Sequence, residues 1–226
     1  MDESNELEQL RELIGQFPDK YPLTKVKEAN RLARTRFDTL DNEIIFIITQ
    51  RVRSNEIQMG IDTCFKLCEI FHSYIFKDII SINGKFRSVT HDGSGSVYFG
   101  GQRHQELKSR FSGVNPQLIR GDLSEAFQYL ANIHSQTPID DAFRFYQKFV
   151  RTHPFYDGNG RVARLFVNLY LHIYSKFVDW KNLQNQAKFL KKLNRFHLTQ
   201  LDNDFRWWIN TCSKYVYEIS EEDEKT

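Results

Sequence analysis

Apolar residues recur along most of the chain at the three- and four-residue intervals of amphipathic helices. Leu7, Leu10, Leu13 and Ile14 predict a first helix over Ser4 to Gln16, which Phe17-Pro18-Asp19-Lys20-Tyr21-Pro22 breaks. A second runs from about Thr24 through Val26, Ala29, Leu32 and Ala33 toward Phe37, and the apolar run Ile44 to Ile48 follows. Ile57, Ile61, Phe65, Leu67, Cys68, Ile70 and Phe71 predict a core helix within Glu56 to Ile80. The pattern then changes: Gly84 to Phe99 alternates about Asp92-Gly93 and predicts a hairpin of two short strands. Helical spacing returns over Arg103 to Ser112, Asp122 to Ser135 and Ile139 to Thr152, the last with Phe143, Tyr146, Phe149 and Val150 on one face. Leu165, Phe166, Leu169, Tyr170, Ile173 and Tyr174 make the next helix apolar nearly all round, which predicts a central, buried position. Phe177 to Trp180 ends it, and the aromatic stripes from Leu183 to Tyr217 predict one or more further core helices. Glu218 to Thr226 is an acidic tail expected to fray. The fold class is therefore all-α with one small β-hairpin.

Composition narrows the alternatives. A chain of 226 residues with 40% hydrophobic content accommodates one ordinary domain and a helical extension, not two large domains. Its 31 basic and 29 acidic residues balance to +2, so no nucleic-acid footprint is indicated. Cys64, Cys68 and Cys212 form neither a metal pattern nor a disulfide framework and are expected to be buried thiols in a reducing compartment. The start lacks a basic region followed by an apolar run, and no apolar stretch is long enough to span a bilayer. The expectation is a cytoplasmic protein with no membrane partner.

Candidate chemistry is concentrated in His153-Pro154-Phe155-Tyr156-Asp157-Gly158-Asn159-Gly160-Arg161-Val162-Ala163-Arg164. Gly158 and Gly160 let the backbone curl so that successive N–H groups point into one concavity, at the N-terminus of the apolar helix. Anions bind at such places. Arg161 and Arg164, three residues apart, can reach along one side toward the same phosphate chain, and Asp157 offers the hard oxygen that Mg²⁺ prefers. Phe155 is expected to anchor the loop from inside. His104 and His134 lack partner spacing and are expected to be structural or surface residues.

The stretch resembles the signature of the Fic family, His-x-Phe-x-Asp/Glu-Gly-Asn-Gly-Arg-x-x-Arg, and matches every fixed position in order. The resemblance implies a Fic-type helical bundle with a β-hairpin flap, covering about Lys77 to Asn210. It implies a protein adenylyltransferase that moves AMP from ATP, with Mg²⁺, to a serine, threonine or tyrosine hydroxyl of a target protein, which can be the protein itself. His153 would be the base that takes the hydroxyl proton, since such a hydroxyl is a poor nucleophile at neutral pH. Asp157 would hold the metal, Gly158, Asn159, Gly160 and Arg161 would bind the phosphates, and Arg164 would contact the γ-phosphate.

Two further segments take their roles from the same resemblance. Many Fic proteins carry an inhibitory helix with the pattern Ser/Thr-x-x-x-Glu-Gly/Asn, and Thr39-Leu40-Asp41-Asn42-Glu43 supplies its first five positions, with Ile44 in the sixth. Glu43 is then expected to pair with Arg164 and occupy the place of the γ-phosphate. Gly84-Lys85-Phe86-Arg87 and Phe99-Gly100-Gly101 resemble the flanks of the flap, which makes Val89, Thr90 and His91 the segment expected to dock a target. His91 itself reads as an exposed turn residue. Residues 1–50 would be the regulatory extension, 51–217 the catalytic domain and 218–226 the tail. Transfer of another phosphate-containing group, removal of AMP by a water positioned at Glu43, and a vestigial binding module remain as alternatives, and a homo-oligomer is compatible with the sequence.

Overall fold

The computed structural model describes residues 23–80, 83–88, 98–99 and 111–219. The predicted helix at Ser4 to Gln16, the hairpin turn with Val89, Thr90 and His91, most of the predicted helix at Arg103 to Ser112, and the end of the tail lie outside these residues.

The described chain is helical with two small antiparallel sheets. Helix α1 (Leu23–Thr39) passes through a π-helical turn (Leu40–Ile44) into α2 (Ile45–Arg53), and α3 (Ile61–Phe76) follows. Strands β1 (Tyr98–Phe99) and β2 (Phe111–Ser112) pair, so the end of a predicted helix is extended chain instead. Helices α4 (Ile119–Ala131), α5 (Pro138–Thr152) and α6 (Asn159–Ile173) come next. Strand β3 (Lys176–Val178), α7 (Trp180–Asn185), α8 (Ala187–Thr199), α9 (Asp202–Cys212) and β4 (Val216–Glu218) complete the order. β3 and β4 form a second hairpin-like pair across the helices between them, at two places expected to end or continue helices.

Helix α6 is the axis of the bundle. Val162, Ala163, Leu165, Phe166, Val167, Leu169, Tyr170 and Leu171 are all fully buried, as an all-round apolar helix requires. Phe166 is the hub of an aromatic core, with ring centroids 5.4 Å from each of Phe71, Phe127 and Phe145, so that α3, α4 and α5 meet on α6. Trp208 on α9 packs against Phe143 and Tyr146 of α5 in a second cluster. Emptying the site of such a ring costs about 3–5 kcal/mol, enough to matter for a domain of this size.

The N-terminal segment lies along α6. Its buried stripe runs Ala33, Phe37, Leu40, then Ile45, Thr49, Val52, with a five-residue step in the middle. The π-helical turn absorbs this step: the Ile45 N–H donates to the carbonyl of Leu40, and the inward face stays continuous. At its far end Arg53 Nη2 donates to the His172 carbonyl and to Ser175 Oγ, and so caps the C-terminus of α6. Cys64, Cys68 and Cys212 are buried free thiols, and burial pushes the Cys64 thiol up to about 12. Among the described residues no helix is long and apolar enough to cross a membrane.

Candidate active site

The signature residues form a single loop between α5 and α6, and its shape follows from a few local contacts. Helix α5 ends at His153, which adopts the left-handed conformation (φ 53°, ψ 60°) while its N–H still donates to the Phe149 carbonyl at 3.0 Å. A histidine there turns the chain sharply away from the helix axis. Phe155 points inward as expected, fully buried, stacked on His72 at 3.9 Å and beside Phe86 at 5.2 Å. Asn159 closes the loop from its other end: its Oδ1 accepts from the Phe155 N–H and its Nδ2 donates to the Phe155 carbonyl, both at 2.8 Å. The Asn159 amide is therefore engaged within the loop, where the family resemblance implies a part in orienting phosphates.

The two glycines do different things. Gly158 is left-handed (φ 76°), and a Cβ there would lie 2.1 Å from the Phe76 ring, so only glycine fits. Gly160 has ordinary helical geometry, and a Cβ there would meet nothing within 4 Å. Its contribution is open space beside the helix N-terminus, where the Asn159 and Gly160 amides have no carbonyl within the helix to bond. Asp157 is exposed, with one carboxylate oxygen accepting from the Gly158 N–H at 2.6 Å. Among the described residues no cluster of three or more His, Cys, Asp and Glu could hold a metal by itself. A cation here would be shared between Asp157 and a ligand's oxygens, the arrangement Mg²⁺ favours with nucleotides.

The arginines also diverge. Arg161 lies over the Phe76 ring, 5.3 Å from its centroid, and its Nη1 is buried with no hydrogen-bond partner among the described residues. A buried guanidinium donor left unpaired beside a helix N-terminus is a vacant place for an anionic oxygen. Arg164 is instead engaged: Nε donates to the Gly160 carbonyl at 3.2 Å, Nη1 donates to Gln184 Oε1 at 3.1 Å, and its guanidinium sits 4.8 Å from the Phe37 ring centroid.

His153 is the base candidate. Burial, then the positive charge of Arg87, push its imidazole down to about 4, against a hydrogen bond with the Val150 backbone that acts the other way. At neutral pH it is uncharged, the form in which an imidazole can take a proton.

Thr39 and Glu43 do not join this group. Thr39 Oγ1 donates to the Thr35 carbonyl of its own helix. Glu43 is exposed and lines a 470 Å³ pocket with Phe46, Gln50 and His172. The carboxylates that act on Arg164 are those of Asp41 and Asp38. The π-helical turn explains the difference, because its wider spiral rotates Asp41 toward α6 and leaves Glu43 outside.

Sequence reasoning gave no role at the site to His72, Gln184 or Arg87, the last having entered only as a flank of the expected flap. His72 Nδ1 accepts from the Gly84 N–H at 2.8 Å, so Nε2 carries the proton and faces the Asp157 carbonyl at 3.2 Å. It thereby ties the segment leading to the predicted flap to the signature loop. A histidine inside an apolar helical face was its sole sequence signal.

A mostly helical bundle with an anion-ready loop between two of its core helices defines a class, and comparison supplies its name. Residues 65–171 match the Fic/DOC family. It is 39% identical over 67 residues to the protein adenylyltransferase fic-1 of Caenorhabditis elegans, a match spanning 29% of this chain and 13% of that relative's length. Its structure resembles that of a Fic domain containing signaling protein from Bacteroides thetaiotaomicron, with TM-score 0.60, 20% identity, and 80% of this chain and 68% of the other covered. The BepC effector protein of Bartonella tribocorum, solved with bound AMPPNP, gives TM-score 0.62 at 12% identity, covering 91% and 92%.

Proposed function

We propose that the protein transfers AMP from ATP to a hydroxyl side chain of a target protein. The observation that carries this reading is one short loop holding an uncharged, part-buried imidazole, His153, and a buried unpaired donor on Arg161 beside free helix amides. The family supplies the transferase class, and the names of two relatives support the nucleotide: one is an adenylyltransferase and another binds an ATP analogue.

His153 takes the proton of the incoming hydroxyl as its oxygen bonds to the α-phosphorus. The bond from that phosphorus to the bridging oxygen breaks, and pyrophosphate leaves. Arg161 and the Asn159 and Gly160 amides bind the phosphate oxygens and stabilise the charge that grows on the leaving group. Asp157 would hold Mg²⁺, which neutralises phosphate charge when bound. Arg164 would reach the γ-phosphate only after giving up its contacts with Gln184 and Phe37. The segment bearing Phe37, Asp38 and Asp41 thus restrains transfer, a role the sequence had suggested for Glu43.

Intact mass spectrometry after incubation with Mg²⁺ and a panel of nucleoside triphosphates tests the reading. An added mass of AMP on the protein or a supplied target is expected. A different added group would reassign the donor, and no addition with any donor or target would remove the proposal.

A further inference from the structure

Arg87 is 2% exposed, and its partners include backbone carbonyls on both sides of the left-handed turn. Its Nε donates to the carbonyl of His153 at 2.6 Å, and Nη2 donates to that of Thr152 at 3.2 Å and to that of Val114. Its own N–H donates to the Pro154 carbonyl at 2.9 Å. Arg87 is thus bonded to three consecutive residues, Thr152, His153 and Pro154. Burying a guanidinium is costly, and five donors in a rigid fork are suited to gathering carbonyls that a helix C-terminus leaves without partners.

The site is shaped to admit that fork. A Cβ on Gly113 would lie 2.6 Å from Arg87 Nη2 and 3.0 Å from the Cβ of His153, so the glycine is the gap through which the guanidinium reaches the turn. Val114 next to it donates to the Thr152 carbonyl at 3.2 Å, which places the chain after β2 against the same helix end. Tyr156 donates its hydroxyl to the Ser88 carbonyl at 3.2 Å, so residues 87 and 88 run alongside the signature loop.

We propose that Arg87 is a positioning residue for His153: its guanidinium binds the carbonyls around the left-handed turn and holds the imidazole where an incoming hydroxyl meets it. This rests on the reading of His153 as the transfer base. The positive charge also opposes protonation of the imidazole, so that one side chain fixes the place of the base and favours its uncharged form. A lysine cannot reproduce the first effect, because a single ammonium lacks the planar fork, but it keeps the second.

The test uses the full chain with three substitutions: Arg87→Gln, Arg87→Lys and Gly113→Ala. Titration of the His153 imidazole by NMR needs no turnover, and self-labelling from ATP and Mg²⁺ gives kcat and KM. Arg87→Gln should move the His153 pKa upward from about 4 toward the ordinary histidine value, while Arg87→Lys should leave it low. Arg87→Lys and Gly113→Ala should each lower kcat about 10²-fold, the scale of a base displaced by an ångström, with KM for ATP within about twofold. Gly113→Ala retains every Arg87 donor and keeps the test open should the arginine variants not fold. An unmoved His153 pKa in Arg87→Gln, wild-type kcat in Gly113→Ala, or a rise in ATP KM matching the loss of kcat would overturn the proposal. Absence of labelling by the wild type would count against the transfer reading, and the imidazole titration would still decide whether Arg87 governs His153.

Discussion

Asn168 Nδ2 donates to Asp41 Oδ1 at 2.5 Å, while the same amide's oxygen accepts from Trp180 Nε1 at 2.7 Å. Asn168 is thereby locked in one orientation and offers its NH₂ to the N-terminal segment. Burial raises the Asp41 carboxyl, opposed by this hydrogen bond and by the charge of Arg164.

On the proposed reading, Asp41, bonded to Asn168 and acting on Arg164 through its charge, is the acidic group whose loss would loosen the segment over Arg164. Asp41→Asn should raise the rate of self-labelling about tenfold for each ~1.4 kcal/mol by which it favours the released state, so long as that state is rare. Glu43→Gly should label as wild type does. The measurement is incorporation from labelled ATP at equal protein concentrations, and the reverse ranking would return the inhibitory role to Glu43.

His153→Ala should abolish transfer while ATP binding, measured by calorimetry, stays within about threefold, because the imidazole acts on the acceptor and not on the donor. Parallel loss of binding and transfer would show that His153 contacts the nucleotide instead.

Asp157→Ala should weaken ATP binding in the presence of Mg²⁺ and leave metal-free binding nearly unchanged, since the carboxylate's exposed side is the part available to a cation. A titration of affinity against Mg²⁺ that overlays the wild type would remove Asp157 from the metal site.

Acidification should destabilise the fold before most carboxylates titrate. His153 is held down at about 4 and His197 at about 3, both chiefly by burial, so in the folded state both stay uncharged below the ordinary histidine value near 6.5. Unfolding then takes up protons between about pH 6.5 and 4, and the stability these groups contribute is complete above 6.5 and lost as pH falls through that window. Urea midpoints across this range should drop with a steeper slope in the wild type than in His197→Phe. Equal slopes would mean that His197 is not buried uncharged.

The sequence made the signature loop and α6 legible for the same reason: their determinants are local. A left-handed glycine, a helix N-terminus and an apolar sequence around a whole helix can all be read within about twenty residues. What lies around the loop is assembled from afar. Arg87 and His72 meet it across more than sixty residues of chain, and nothing in an isolated arginine or histidine reports where its partners are. Helix α2 and the turn before it were seen only as an apolar run, because a π-helical step breaks the periodicity on which recognition depends. Asp41, to which the sequence assigned no role, meets Asn168 of α6, while Glu43 is exposed. β3 and β4 were missed because three-residue strands carry too little alternation to compete with the aromatic spacing of Phe177 and Tyr217.

Arg53 caps one end of α6 while Asp41 and Phe37 engage it toward the other, so the N-terminal segment grips a single rigid rod at two separated points. Losing one grip leaves the other to hold the segment close, and rebinding is then a local event at high effective concentration. Full detachment would therefore have a threshold: loss of the Asp41 grip alone would open only the end near Arg164, and the whole segment would leave α6 only when both grips fail together.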